Sequence, residues 1–331
     1  MNIALLCDSK DTFASVFGET AMRRLAALGA CSPVLGRGDF AAHVDFLRDC
    51  EVAVSTWGMP ALSEDELARW LPNLKACFYA AGTVQGFARP LLARGIRLSC
   101  AAAANAVPVA EFTFAQILLA AKDTFAAQKY YRLALPKARR RSRSAPGNYG
   151  LRVGLLGVGA IGSLVARRLQ TVDAEVFAYD PFLSSDRASA LGVMPASLEE
   201  IFSRCDVISN HLANKPELAC ILDGKLFESM KPRAVFINTG RGAQVNERDL
   251  ARALRREPGR TALLDVLQNE ATPFRSPLWR RPNAYFTPHI AGSLGPECGR
   301  MAHWMIDELE RRLAGEALRY EVTADQLERM A

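Results

Sequence analysis

Paired cysteines are missing from this sequence. Cys7, Cys31, Cys50, Cys77, Cys100, Cys205, Cys220 and Cys298 fall singly, mostly in apolar surroundings, and no CxxC pair occurs. That scatter argues against a zinc ribbon or a disulfide framework and suits small buried hydrophobes in a reducing cytoplasm. Long hydrophobic runs are missing too: none approaches the roughly 20 residues of a membrane span. Asp8 also interrupts the N-terminal run before a signal-peptide core could build. The expectation is a cytoplasmic protein with no membrane contact. His43, His211, His289 and His303 are the only histidines and lack metal-ligand spacing, so no metal is expected. Internal repeats and low-complexity segments are absent as well. What remains is a 331-residue chain that is half hydrophobic, the profile of a soluble globular enzyme with room for two cores.

The formal charge of +6 invites a nucleic-acid reading, but Lys137, Arg139, Arg140, Arg141 and Arg143 hold five positive charges in one short stretch. Followed by Ser144-Ala145-Pro146-Gly147-Asn148, the cluster is expected to be an exposed arm, solvated or touching another subunit, and no nucleic-acid partner is expected.

Strand-like and helix-like runs alternate throughout, which predicts parallel sheets flanked by helices. Strands are expected at Ile3 to Leu6, Val52 to Ser55, Ala76 to Tyr79 and Ile96 to Ser99. After the basic stretch they are expected at Val153 to Leu156, Glu175 to Tyr179, Asp206 to Asn210, Ala234 to Asn238, Ala262 to Val266 and Ala284 to Thr287. Ser63 with Glu66, Ser197 with Glu200 and Asn246 with Asp249 are helix N-terminal signals. A long helix is expected from Val109 to about Gln128. An amphipathic one from about His303 to Gly315 is expected to return to the N-terminal unit.

In mid-chain the run Leu151 to Leu156 feeds into Gly157-Val158-Gly159-Ala160-Ile161-Gly162, and Asp180 closes the following strand. This is a dinucleotide-binding fingerprint. Gly157 suits a tight turn, Gly159 a close backbone approach to pyrophosphate, and Gly162 close helix–strand packing, with the helix N-terminus facing the negative charge. Ala160 and Ile161 complete the loop. Asp180 would accept from the adenosine ribose hydroxyls and repel a 2′-phosphate, and Pro181 follows it rather than an arginine. NAD is therefore expected over NADP.

Three ionisable residues follow successive predicted strands: Arg241, Glu270 and His289. In an open α/β sheet those carboxyl ends face one crevice. Arginine can grip a carboxylate in a bidentate fork, and histidine can shuttle a hydroxyl proton during hydride transfer. A carboxylate beside the histidine would fix its tautomer and keep a proton available near neutrality.

These motifs resemble the D-isomer specific 2-hydroxyacid dehydrogenase family over most of the chain. Its arginine motif is matched by Asn238-Thr239-Gly240-Arg241-Gly242, its acidic segment by Leu264-Asp265-Val266-Leu267-Gln268-Asn269-Glu270, and its histidine motif by Thr287-Pro288-His289-Ile290-Ala291-Gly292. The resemblance implies that Arg241 binds the substrate carboxylate and polarises the 2-oxo group, that His289 is the acid/base, and that Glu270 is its partner. It puts Asp265 near the nicotinamide and His211 near the adenosine side. Leu212, Thr239 and Gly240 then count among the cofactor contacts. Formate dehydrogenases of the superfamily pair the histidine with glutamine, so Glu270 favours a hydroxyacid. The implied fold is a Rossmann doubly wound parallel sheet, residues 102–290, inserted into a smaller flavodoxin-like α/β substrate domain of residues 1–101 and 291–331. Asn105 to Glu111 would begin the long helix. A homodimer through the cofactor domains and closure over the substrate are also implied.

Departures from the family pattern fall where substrate is chosen. The carboxylate-cradling loop reads Ala80-Ala81-Gly82-Thr83-Val84-Gln85-Gly86, where the amides of Ala81 and Gly82 could still bind a carboxylate. In Ser55-Thr56-Trp57-Gly58-Met59-Pro60 an aromatic stands where phosphoglycerate dehydrogenases tend to have arginine. That, with no room for a C-terminal regulatory domain, predicts a small unphosphorylated acid. Trp57 is expected to line the pocket, the alternative being a packed structural tryptophan. Ala271 and Ala213 replace prolines usual in the family. A rival to the enzyme is an NAD-sensing scaffold or corepressor, since this fold also hosts binding proteins. An enzyme holding NAD only structurally would need a reaction centre that the sequence does not offer.

Overall fold

The structure, a computed structural model, describes residues 1–328. The chain divides into two compact units, Met1–Asn105 with Ser293–Ala331, and Ala106–Gly292.

The first unit holds a six-stranded sheet built from β1 (Asn2–Leu6), β2 (Ala30–Leu35), β3 (Cys50–Ser55), β4 (Ala76–Tyr79), β5 (Arg97–Cys100) and a late strand, β13 (Glu321–Val322). Its order is β13-β5-β4-β3-β1-β2, with only β13 antiparallel. The parallel part has the flavodoxin-like order, with the switch at β1 and β3. Strand periodicity divides the core: Ala4 and Leu6 point to one face with Phe40, Leu67 and Leu91, whereas Ile3 and Leu5 point to the other with Phe13, Met301, Met305 and Leu309. The last three lie on the helix Pro296–Leu313, which starts seven residues earlier than the periodicity suggested because Pro296 suits a first helical position.

The strand β2 has no counterpart in the sequence expectations. It contains Pro33, which belongs on a sheet edge, and β2 is that edge. Where the β1–β2 register shifts, Leu5 N donates instead to Ser32 Oγ at 2.9 Å.

The second unit holds a seven-stranded parallel sheet in the order β12-β11-β10-β9-β6-β7-β8. Its strands are β6 (Leu151–Leu156), β7 (Ala174–Tyr179), β8 (Met194–Pro195), β9 (Val207–Asn210), β10 (Val235–Asn238), β11 (Thr261–Leu264) and β12 (Ala284–Phe286). Phe236, Ala262 and Leu264 face one core layer, and Val235, Ile237 and Leu263 the other. The order reverses at β6, the switch point where a doubly wound sheet opens a crevice. The caps at Ser63 and Ser197 are full capping boxes, and Asn246 Oδ1 accepts from Asp249 N at 3.2 Å.

Three expectations need correction. The long helix is two, Ala102–Ala121 and Thr124–Leu133, because Asp123 takes a left-handed φ of 53° and its carboxylate is gripped by Arg141 at 2.6 and 3.0 Å and by Arg233 at 2.9 Å. The basic stretch leaves Lys137, Arg139, Arg140 and Arg143 exposed, as expected, but it is a folded helix tied to Asp123 through Arg141. It forms the helix Leu135–Arg143 with Ala138 buried, and Lys137 sits 3.9 Å above the Tyr130 ring. Pairing with Asp123 raises the Arg141 guanidinium further above its ordinary value. The helix Ala102–Ala121 is, contrary to expectation, long and apolar enough to cross a membrane by length and composition. Ala110, Ile117, Ala120 and Ala121 are nevertheless core residues of the second unit, and Glu111 pairs with Arg168 at 2.9 Å.

The cysteines follow the apolar expectation except Cys220, which is exposed. Burial pushes the thiols of Cys50, Cys77 and Cys205 up to about 12, so they are unreactive at neutral pH.

Candidate active site

The fingerprint turn is fixed by close backbone packing. Gly157 has φ 86°, and a Cβ there would meet the His211 carbonyl oxygen at 2.7 Å; a Cβ on Gly162 would meet the Gly157 oxygen at 2.1 Å. Neither position admits another residue. A Cβ on Gly159 would meet nothing, so space is open above the turn. The helix Ala160–Leu169 begins there with no side chain capping its first amides, leaving those donors and the positive helix end for an anion. Asp180 Oδ2 accepts from Val158 N and Oδ1 from Phe182 N, each at 2.9 Å, which holds the carboxylate beside the turn; Pro181 lies between. These residues fit a dinucleotide.

His211 and Leu212 line the underside of that turn. The His211 ring is buried, with Nε2 2.9 Å from Ser209 Oγ and Nδ1 without a hydrogen-bond partner among the described residues. Burial pulls its imidazole down to about 4, so it stays neutral under ordinary conditions.

At the ends of β9 and β10, Asn210 and Asn238 face each other in register. Asn210 Nδ2 donates to Asn238 Oδ1 at 3.0 Å and to Gln244 Oε1 at 2.6 Å, and Gln244 Nε2 donates to the carbonyls of Leu212 and Ala213 at 2.9 and 2.7 Å. Asn238 Oδ1 also accepts from Gly240 N at 3.1 Å, and Asn238 Nδ2 donates to the Arg241 carbonyl at 3.2 Å. Thr239 Oγ1 lies 3.0 Å from Thr113 Oγ1. This buried network shapes the loop that presents Arg241. The Arg241 guanidinium donates to the Gly240 carbonyl at 2.9 Å and has no carboxylate partner among the described residues. Gln244 carries no signal in the sequence; the signal present is the asparagine repeated at the ends of two neighbouring strands.

Gly242 packs on the segment that carries Glu270, since a Cβ there would lie 2.0 Å from the carbonyl carbon of Leu267. The same segment is tied by Glu247, which accepts from Gln268 N at 2.7 Å and Ser276 Oγ at 2.6 Å. Where the family has proline, Ala271 donates its amide to Asn269 Oδ1 at 3.1 Å, as does Thr272, so a side-chain turn supplies the stiffness.

Asp265 is nearly inaccessible and accepts from Thr287 Oγ1 at 2.6 Å and from the amides of Ile290 and Ala291, each at 2.9 Å. Its backbone oxygen accepts from His289 N at 3.0 Å. The carboxylate therefore clamps the loop Thr287 to Ala291 on both sides of His289, whose φ of 55° is unusual for a residue with a side chain. His289 Nδ1 lies 2.8 Å from Glu270 Oε2, both side chains being about half exposed. Nε2 has no partner among the described residues and is the atom left for a proton transfer. Arg241, Asp265, Glu270 and His289 thus follow the carboxyl ends of three adjacent parallel strands, β10, β11 and β12.

Within the first unit, the loops after β3 and β4 are joined by Thr56 Oγ1, which donates to the Ala80 carbonyl at 2.9 Å. Trp57 is partly exposed, and its carbonyl accepts from Cys7 Sγ at 3.1 Å. The amides of Ala81 and Gly82 have no hydrogen-bond partner among the described residues. The described residues contain no cluster of three or more metal-ligating side chains.

Comparison with known proteins gives the family. The family model for "D-isomer specific 2-hydroxyacid dehydrogenase, NAD binding domain" matches residues 114–291. D-3-phosphoglycerate dehydrogenase of Mycobacterium leprae is 34% identical over 70% of this chain, which spans only 44% of that protein. Glyoxylate reductase of Korarchaeum cryptofilum is 28% identical over 80% of both chains. The crystal structure of the NAD complex of a D-isomer specific 2-hydroxyacid dehydrogenase from Lactobacillus delbrueckii ssp. bulgaricus shares the fold, with a TM-score of 0.77, 20% identity, 98% of this chain and all of that one. An NAD-binding domain of this family, a Rossmann sheet carrying the fingerprint, and the conjunction of Arg241, Glu270 and His289 all lie on one chain, which belongs to the D-isomer specific 2-hydroxyacid dehydrogenase family.

Proposed function

We propose that the chain interconverts a small, unphosphorylated 2-oxo acid and its D-2-hydroxy acid with NAD. The observation that carries this is the Glu270–His289 contact at 2.8 Å, with His289 Nε2 free and Arg241 without a carboxylate partner among the described residues. When bound, the nicotinamide supplies or accepts the hydride. In the reductive direction Arg241 holds the carboxylate and polarises the 2-oxo oxygen, and His289 Nε2 gives that oxygen its proton. Glu270 holds the ring by Nδ1 and so fixes the direction of Nε2. Asp180 and the fingerprint hold the adenosine and pyrophosphate, with NAD favoured over NADP.

Residues 1–101 and 291–331 serve in this reading as the substrate domain and residues 102–290 as the cofactor domain. The free amides of Ala81 and Gly82 support a second grip on the carboxylate, and Trp57 supports an apolar side-chain pocket. The absence of an arginine in the Trp57 loop supports an unphosphorylated acid. Exposed Tyr131, Leu133 and Tyr149 on the second unit support a homodimer through cofactor domains, which analytical ultracentrifugation would test. Six buried free cysteines support a reducing, cytoplasmic setting.

The test is a panel of 2-oxo acids with NADH, followed by loss of nicotinamide absorbance. Turnover of at least one small acid is expected, with Arg241→Ala impairing KM and kcat together and His289→Ala mainly kcat. Negligible turnover across the panel, together with a stoichiometric protein partner on purification, would favour the NAD-sensing scaffold instead.

A further inference from the structure

Arg187 is bound to the fingerprint turn but has no acidic partner among the described residues. It lies on the helix Ser185–Leu191, exposed, and its Nη2 donates to the Val158 carbonyl at 2.7 Å and to Ser163 Oγ at 3.2 Å. Ser163 Oγ donates to the same carbonyl at 2.6 Å. At its other end Val158 donates its amide to Asp180 Oδ2 at 2.9 Å. One residue of the turn is therefore held by a carboxylate at its nitrogen and by a guanidinium at its oxygen. The length of a single residue keeps the two charged groups within roughly 9 Å of each other. They do not pair. The Nε and Nη1 donors of Arg187 have no partner among the described residues.

We propose that Arg187 determines nucleotide specificity as a latent partner for a 2′-phosphate, a role that Asp180 suppresses. The inference rests on Asp180 facing the adenosine ribose. A phosphate on that ribose would meet the Asp180 charge first, which repels it. With that charge removed, a guanidinium already anchored to the turn by one nitrogen remains, with planar donors left to fork two phosphate oxygens. Its anchorage on Val158 lowers the entropy lost on binding, so little rearrangement is needed. No covalent step is involved.

The experiment measures dissociation constants for NADH and NADPH by titrating nicotinamide fluorescence in the full chain, without substrate. Asp180→Asn keeps an acceptor for the loop amides and removes the charge. It should bind NADPH about tenfold more tightly than the unchanged protein does. Adding Arg187→Ala should remove most of that gain, and adding Arg187→Lys should keep a good part of it. Thermal melts confirm that each variant is folded. If Asp180→Asn fails to fold, Asp180→Ser takes its place: a gain in NADPH affinity that Arg187→Ala cuts at least about threefold supports the role, and a gain left unchanged overturns it. A gain in Asp180→Asn that survives Arg187→Ala overturns the role of Arg187 and leaves that of Asp180 intact. No gain in a folded Asp180→Asn overturns both.

Discussion

His289 Nδ1 lies 2.8 Å from Glu270 Oε2, and the histidine that makes this contact stands at a φ of 55°. The pair joins the loops after two adjacent strands, β11 and β12, so its geometry depends on two separately held backbones. Replacing Glu270 with glutamine keeps the shape and removes the charged acceptor that holds Nδ1. Glu270→Gln should lower kcat roughly ten- to a hundredfold with KM changed much less, as read by steady-state kinetics. An unchanged kcat would show that the glutamate does not assist the ring.

Asp265 is the residue that enforces the strained backbone of His289. Its carboxylate accepts from Thr287, Ile290 and Ala291 at 2.6 to 2.9 Å in a nearly inaccessible position. Asp265→Ala strands buried donors and should cost about 3 kcal/mol or more in chemical denaturation. Asp265→Asn keeps an acceptor and should cost less. Both should lower kcat, because the ring is no longer aimed. Full stability in Asp265→Ala would remove the clamp from the account.

Acid should destabilise the second unit through His211. Burial lowers its folded-state pKa to about 4, below the ordinary value of 6.5, so the unfolded chain takes up the proton first as pH falls. Its contribution is constant above pH 6.5, weakens below it by about 1.4 kcal/mol per unit, and levels off near pH 4. His211→Gln should flatten the pH dependence of denaturation across that window, whatever its effect at neutral pH. A variant with the same slope as the unchanged protein would place the acid sensitivity elsewhere.

Trp57 is partly exposed on a loop anchored at its carbonyl by Cys7, so its ring is not needed to fill the core. Trp57→Ala should change the order in which 2-oxo acids of different side-chain size are reduced, with stability altered by less than about 1 kcal/mol. A large loss of stability with an unchanged order would mark the tryptophan as packing.

The two sheets were legible because central parallel strands are apolar on both faces and short, and the fingerprint was legible because a Cβ on Gly157 or Gly162 would come within 2.7 or 2.1 Å of a backbone oxygen. The alternation of Glu270 and His289 with strand ends was legible for the same reason. Less visible was β2, whose edge position tolerates Pro33 and a broken ladder. The break at Asp123 was hidden because it depends on Arg141 and Arg233, far along the chain. Periodicity reports only local preference. Asp265 carried a motif but not its role as a clamp, since beside the Thr287 hydroxyl its partners are two backbone amides that no side-chain pattern reveals. Gln244 and Glu247 were unmarked for a similar reason: each ties loops together from inside the core, and only the folded chain supplies their partners.

The central claim is hydride transfer to one face of a 2-oxo acid, and isotopic transfer tests it most directly. NADH deuterated at the transferable position of the nicotinamide would be incubated with the best acid of the panel, and the product recovered for NMR and chiral chromatography. The account predicts deuterium at C2 of a D-2-hydroxy acid, abolished in His289→Ala. A hydroxy acid of the L configuration, or one without deuterium at C2, would contradict it.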